Sequence, residues 1–304
     1  MLSPQAVAVN ALACRVGAGQ NAAVHALIAP EQPARSDVNK IKVAVIQTQS
    51  AENIEANLQQ SADLCRQARQ DGATLLCLPE NVAFLRISAD YNVPQGLDGQ
   101  IITFYSDLAR ELEAAILVGS YQQPSDEEHR VYNTSVLIGP DGAIVQKYEK
   151  IHLFDIDIPG VVSLRESDHI KAGGEAVTAD LFGTCFGMTI CYDLRFPELY
   201  RKLLDKGAEV LLIPAAFTLQ TGKDHWEVLL RARTIENQCY VIAPGQWGLH
   251  GGTRYSYGHS IIIDPWGHVI AKVSDGIGFA TAWLDPAKLA SVRRNLPCQQ
   301  HRRM

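Results

Sequence analysis

The chain has little that would mark a disulfide-stapled, metal-bound or membrane-spanning protein. Its seven cysteines are odd in number and scattered, with no Cys-x-x-Cys pair. That pattern argues for free thiols in a reducing compartment, the cytoplasm being the expectation, rather than for a disulfide framework. No apolar run reaches the roughly 18 residues that a membrane-spanning helix requires. Basic residues number 27 against 33 acidic, for a net charge of −6. No basic stripe emerges, so a general grip on nucleic acid is not expected, and His301-Arg-Arg303 reads as a solvated tail. His152, Asp155 and Asp157 match no zinc-ligand spacing, and no metal is expected. The glycines at 248, 251 and 252 lack the helix onset and lysine of a phosphate loop and read as a flexible rim loop.

What is present is a chain of 304 residues, 47% hydrophobic and 20% charged, enough for one large core. Residues 1–39 stand apart: rich in Ala, Gln and Asn, poor in acids, broken by Pro30 and Pro33. Asn10 and Arg15 interrupt any secretory apolar run, and only Arg15 and Arg35 supply the charge of a mitochondrial transit peptide. The segment reads as a flexible extension outside a catalytic domain spanning 40–304.

From Ile41 the pattern is regular. Strands are predicted at 42–46, 74–78, 115–120, 184–190, 209–213 and 239–243. Helical spacing covers 55–72, 99–112, 196–206 and 226–237. Hairpins are expected at 130–145, around Pro140-Asp-Gly142, and at 260–273, around Asp264-Pro-Trp-Gly267. The stretch 151–174 reads as irregular. Alternating strands and helices with no internal repeat indicate one layered α/β domain. On this evidence alone a single doubly wound sheet is as good a reading as two sheets.

Three reactive side chains arrive at the ends of apolar runs. Cys191 follows Gly187-Met-Thr-Ile190, Glu80 follows Leu75-Leu-Cys-Leu-Pro79, and Lys150 comes just after Ala143-Ile-Val145. A thiol becomes an efficient nucleophile near neutral pH when a base and an electrostatic partner accompany it. Considered singly, each has a bland alternative: a surface acid, a strand-end lysine, a buried core thiol. Cys77, Cys185 and Cys239, in apolar contexts, read as core residues of that kind.

Taken with their flanks, these segments resemble the nitrilase (carbon–nitrogen hydrolase) superfamily, and within it the Nit branch of small-amide amidases. The similarity is carried by Pro79-Glu80, by Tyr148-Glu-Lys150-Ile-His-Leu-Phe-Asp155, and by Cys191-Tyr-Asp-Leu-Arg195-Phe-Pro-Glu198. Gly222-Lys-Asp-His225-Trp226-Glu227, Tyr257-Gly-His259-Ser260 and Asp264-Pro-Trp-Gly267 follow in the same order. The resemblance implies an α-β-β-α sandwich with two sheets face to face. It implies Glu80 as general base, Lys150 as oxyanion-stabilising cation, Cys191 as nucleophile and Glu166 as a second active-site carboxylate. It further implies a thioester intermediate, a substrate carboxylate paired by Arg195 with Thr221 as a weaker contact, and the Tyr192 N–H as an oxyanion donor. No cofactor is implied, since nucleophile, base and cation are all side chains.

The resemblance also implies a small carboxylate-bearing amide as substrate. The C-terminal third, from His225 through Tyr257-Gly-His-Ser260 to Arg293-Arg-Asn-Leu-Pro297, favours deaminated glutathione, with 2-oxoglutaramate (omega-amidase activity) as the alternative. True nitrilase and N-carbamoyl hydrolase activities, or a catalytically silent interaction protein of the same fold, are more distant alternatives. Asn81-Val-Ala-Phe84 and the 247–255 loop depart from the pattern where a pocket would vary. His225, His259 and their neighbours read as structural. A homodimer is expected, with Leu199, Leu203 and Leu204 as an apolar side available to a subunit contact.

Overall fold

The first strands are buried on both faces, and alternate residues join different cores, which shows how the layers form. The computed structural model describes residues 40–87, 92–158, 162–252 and 254–303; the extension expected at 1–39 lies outside these. Strand β1 (Ile41–Gln47) is followed by helix α1 (Ile54–Gln70), β2 (Leu75–Cys77), α2 (Gln100–Leu112) and β3 (Ala115–Pro124). Val43, Val45, Cys77 and Leu117 join the central core, whereas Ala44, Ile46, Leu76 and Ile116 face α1 and α2. A period of two thus gives the sheet two apolar faces, one for helices and one for another sheet.

Strands β4 (Val131–Ile138) and β5 (Ile144–Glu149) continue this sheet as the expected hairpin. Next come the short strands β6 (Asp155–Ile158), β7 (Val162–Arg165) and β8 (Ile170–Lys171). The irregular stretch expected at 151–174 therefore holds a β6–β7 hairpin and a strand paired with β4. The second sheet is built from β9 (Val177–Leu181), β10 (Thr184–Met188), β11 (Val210–Leu212) and β12 (Tyr240–Ala243). Helices α3 (Pro197–Asp205) and α4 (Leu219–Asn237) alternate with these strands. The chain ends through β13 (Trp247–His250), β14 (Arg254–Tyr257), β15 (Ile261–Ile263), β16 (Val269–Lys272), β17 (Gly278–Leu284) and α5 (Pro286–Asn295).

The first sheet runs β17-β1-β2-β3-β4-β5, with β8 beside β4; the second runs β16-β15-β12-β11-β10-β9. Their facing sides share one core, with Val43, Leu117 and Tyr148 from the first and Phe186, Met188 and Leu212 from the second. Helices α1 and α2 cover the outside of the first sheet and α3 and α4 that of the second, giving the α-β-β-α order.

Several expectations are corrected. The glycines at 248, 251 and 252 belong to a β13–β14 hairpin rather than a flexible rim loop, because Trp247 to His250 pair with Tyr257 to Arg254. Gly251 and Gly252 take positive φ angles of 54° and 81° near its turn. Helix α4 starts seven residues before the predicted 226, at Leu219. A Cβ at Gly222 would lie 2.3 Å from the Tyr257 side chain. The glycine lets α4 pack closely on β14. Leu199, Leu203 and Leu204 are all buried in the core of their own protomer and present no apolar side to a partner. Among the described residues, no helix is long and apolar enough to cross a membrane.

Candidate active site

The two sheets each contain a parallel trio, β1-β2-β3 and β10-β11-β12. Glu80 and Cys191 emerge just beyond the carboxyl ends of β2 and β10, the edge where α/β folds gather their sites. Glu80 reaches its place because β3 carries Gly119. A Cβ on that residue would lie 2.0 Å from the Leu78 carbonyl oxygen and 2.3 Å from that of Pro79. Lys150 follows β5; its backbone N–H donates to the Asn133 carbonyl at 2.9 Å and its carbonyl accepts from Gly173 at 2.8 Å.

Residues separated by 70 positions meet there: Lys150 Nζ donates to Glu80 Oε1 at 2.9 Å, and to both Glu166 carboxylate oxygens at 2.9 Å. Asn133 Nδ2 donates to Glu80 Oε1 at 2.9 Å and to Glu166 Oε1 at 3.3 Å. The Ala216 N–H donates to Glu80 Oε2 at 2.8 Å, and the Phe154 N–H to Glu166 Oε2 at 2.6 Å. Glu80 and Lys150 are buried and Glu166 partly so, with side-chain exposures of 4%, 2% and 16%. Buried charges persist only when paired and hydrogen-bonded, and here both conditions are met.

The electrostatics separate the functions available to each group. Burial alone would raise the Glu80 carboxyl, but the Lys150 ammonium and hydrogen bonds from Lys150, the Cys191 thiol and the Ala216 N–H outweigh it, holding it below the usual glutamate range. Burial would lower Lys150, but Glu166, Glu80 and Cys191 together push it well above the usual lysine value. Burial and the Glu80 charge push the Cys191 thiol up, against Lys150. Near neutral pH the site therefore holds a carboxylate able to accept a proton, a neutral thiol able to give it, and a cation that keeps its own.

Cys191 opens a 3₁₀ turn (Cys191–Arg195) with φ at +49°, a left-handed conformation costly for a residue with a Cβ. Its N–H donates to the Pro214 carbonyl at 2.8 Å. The turn is tied to the lysine segment by Asp193, which sequence reasoning passed over. One Asp193 oxygen accepts from Tyr148 Oη at 2.7 Å and from the Ile190 N–H at 2.9 Å; the other accepts from the His152 N–H at 3.0 Å and meets His152 Nδ1 at 2.7 Å. Tyr148 and His152 flank Lys150, so one buried carboxylate joins the turn of Cys191 to the segment of Lys150. A polar Asp two residues after the thiol, inside an otherwise apolar stretch, was the signal available. Asn133 offered no comparable sign, being one polar residue in a hairpin strand.

Glu80, Lys150, Glu166, Cys191, Tyr192 and Thr221 all line one cavity of about 780 Å³, within the range of small-molecule sites. Tyr192 packs edge-on against Phe154, with ring centroids 5.0 Å apart. Thr221 lies in the first turn of α4, its Oγ1 2.9 Å from that of Thr218. Arg195 is placed differently from the expectation of a substrate contact. It is absent from the cavity wall, and its guanidinium lies 5.7 Å from the Tyr192 ring and 5.2 Å from the Phe217 ring. The planar cation stacks on two residues that do line the cavity. No cluster of potential metal ligands occurs among the described residues.

The model of the carbon-nitrogen hydrolase family matches residues 42–294, the span that contains every one of these groups. The chain belongs to that family. This carbon–nitrogen hydrolase is 43% identical over 265 residues to a deaminated glutathione amidase of Synechocystis, covering 85% of this chain and 97% of the relative. It is 42% identical over 268 residues to the human protein of that name, covering 86% and 82%. In structure it is similar to the Caenorhabditis elegans NitFhit protein, with a TM-score of 0.80, 36% identity, and coverage of 87% of this chain and 65% of that one. It also resembles Saccharomyces cerevisiae Nit3, a member of branch 10 of the nitrilase superfamily, with a TM-score of 0.78, 31% identity, and coverage of 87% and 97%. The hydrolase is thus of the nitrilase fold and the Nit group.

Proposed function

We propose that this hydrolase cleaves the side-chain amide of deaminated glutathione through a thioester on Cys191. The chemistry rests on one observation above all: a buried carboxylate bonded to a buried ammonium at 2.9 Å, with the Cys191 thiol close to the same carboxylate, all facing one cavity. The choice of substrate is supported by the names of the relatives.

In this reading Glu80 takes the thiol proton as Cys191 Sγ bonds to the amide carbon. The Lys150 ammonium and the Tyr192 N–H stabilise the resulting oxyanion; the first N–H groups of a helical turn have no partner within the turn and are available to a ligand. Glu80 then gives its proton to the amide nitrogen, the C–N bond breaks, and the amine leaves. Glu80 next deprotonates a water that attacks the thioester. The C–S bond breaks, the thiol regains its proton, and a carboxylate product departs. Glu166 holds Lys150 in place, Thr221 contacts the substrate, and Arg195 positions the Tyr192 and Phe217 rings. Residues 40–304 form the catalytic domain and 1–39 an extension to it.

The test is a direct competition on purified protein, following amine release from deaminated glutathione and ammonia release from 2-oxoglutaramate. The expected outcome is the higher kcat/KM for deaminated glutathione; a higher value for 2-oxoglutaramate would reverse the assignment to omega-amidase.

A homodimer belongs to the same proposal, with different residues from those first expected. Val228 and Ile235, seven apart on one face of α4, are 68% and 52% exposed, and an apolar helix face left in water favours association. Light scattering at micromolar concentration should report twice the 33.3 kDa chain mass; a monomeric mass would remove the dimer. A cytoplasmic location also belongs here, supported by six free thiols among the described residues; fractionation into an oxidising compartment would contradict it.

A further inference from the structure

The cavity wall carries more cationic groups than the reacting trio uses. Its carboxylates are already matched: Glu80 and Glu166 both bond Lys150 at 2.9 Å, and Asp168 faces Arg165 at 4.0 Å. Arg86 and Arg254 line the same cavity, and His169 lines it as well. Arg86 comes from the segment after Glu80, whereas Arg254 opens β14, so tertiary packing alone brings them to one cavity.

These groups sense one another. Burial and then the Arg254 guanidinium hold Arg86 below the usual arginine range, with Glu52 opposing. Burial and then Arg86 hold His169 low, with Asp168 opposing. Glu52 Oε1 also accepts the Ile87 N–H at 2.7 Å. Arg254 Nε is buried with no hydrogen-bond partner among the described residues. Two guanidiniums brought together, one with a buried donor unmatched, form a receptor for an anion, and a carboxylate suits their planar forks.

We propose that Arg86 and Arg254 form a second subsite, which binds a carboxylate on the amine side of the substrate, remote from the carbonyl that Cys191 attacks. This rests on the amidase reading of the cavity and sharpens it. Glutathione ends in a glycine carboxylate, whereas the nitrogen of a short primary amide carries nothing that could reach such a site. The pair of arginines therefore selects for a long amide with an anionic end.

The experiment compares deaminated glutathione with its C-terminal amide, which removes that one charge, by titration calorimetry on Cys191→Ala protein. The free acid should bind at least about tenfold more tightly, the scale of one good charge-assisted contact. In Arg86→Gln/Arg254→Gln protein carrying the same alanine, the preference should fall to near unity. Equal dissociation constants for the two ligands in the arginine-bearing protein overturn the subsite, a result that needs no arginine variant to fold. So does a preference that survives the double substitution, and so does undetectable binding of both. Wild-type protein that fails to hydrolyse deaminated glutathione while Cys191→Ala protein keeps the tenfold preference sinks the substrate assignment and leaves the subsite standing.

Discussion

Replacing Cys191 by alanine should leave a folded protein that hydrolyses no amide. The side chain is 7% exposed, its N–H bond to the Pro214 carbonyl is a backbone contact, and the substitution keeps the Cβ and hence the strained φ of +49°. What is lost is the sulfur: a small void and the thiol's hydrogen bond to Glu80. That costs on the order of 1 kcal/mol, or a melting shift of a few degrees. Turnover, by contrast, should fall by roughly 10⁶, the scale for removing a covalent nucleophile, because neither Glu80 nor Lys150 supplies another route to the acyl intermediate. The two effects are read separately, by thermal melting and by amine release. A variant that melts normally and still turns over would end the thioester mechanism. In wild-type protein, iodoacetamide should label Cys191 stoichiometrically and an amide substrate should protect it; an inert thiol would favour a silent binding protein.

Replacing Lys150 by methionine should damage both stability and rate, and the direction of its pH dependence identifies the cause. The substitution leaves Glu80 and Glu166 without the ammonium that both bond at 2.9 Å. Breaking a buried pair from one side costs about 3–5 kcal/mol at neutral pH. In wild-type protein the Glu80 carboxyl is depressed, so its contribution is full above the unfolded value and is lost as pH falls through the folded one. Lys150 is raised, so its contribution is full below the ordinary lysine value and is lost as pH rises through the folded one. Between those limits the contribution of this pair to wild-type stability should be flat. In the methionine variant the two carboxyls share a site without a cation, and one is driven up. Its contribution then changes sign: the variant is least stable near neutrality and recovers toward pH 5, as thermal melting across pH should show. A flat profile for the variant would mean that Lys150 is not the counter-charge.

The rate of the same variant should fall by at least about 10²–10³, the range for one lost oxyanion partner. Lys150→Arg separates charge from position. It restores a cation and so should recover much of the stability, but a planar fork does not occupy the place of a compact ammonium, and turnover should stay low. Full activity in the arginine variant would move Lys150 from the reacting carbon to a purely supporting role.

Much of this was legible in the chain, for local reasons. The continuous apolar runs in 42–46 and 74–78 and the helical spacing in 55–72 and 99–112 reflect how each element is buried, and that information lies within a few residues. Glu80 and Cys191 could be read as strand-end groups by the same logic. Where local signals misled, packing had overridden them. Helical spacing is legible only from Trp226, whereas α4 begins at Leu219 and Gly222 gives it a close approach to Tyr257. The leucines of α3 resemble a free apolar face and are instead closed over by their own core.

The sequence by itself determined the alternation of strands and helices, the delivery of an acid, a cation and a thiol to strand ends, and the motifs that carry the family resemblance. Only the tertiary structure decided that these groups converge, because sheet order and not sequence spacing brings Lys150 to Glu80 across 70 positions and the Ala216 N–H to Glu80 across 136. It alone set Arg195 over the Tyr192 and Phe217 rings and brought Arg86 and Arg254 to one cavity. Polar contacts of this kind depend on three-dimensional distance to within a few tenths of an ångström. Hydrophobic periodicity specifies which side of an element is buried, but not which distant side chain it will face.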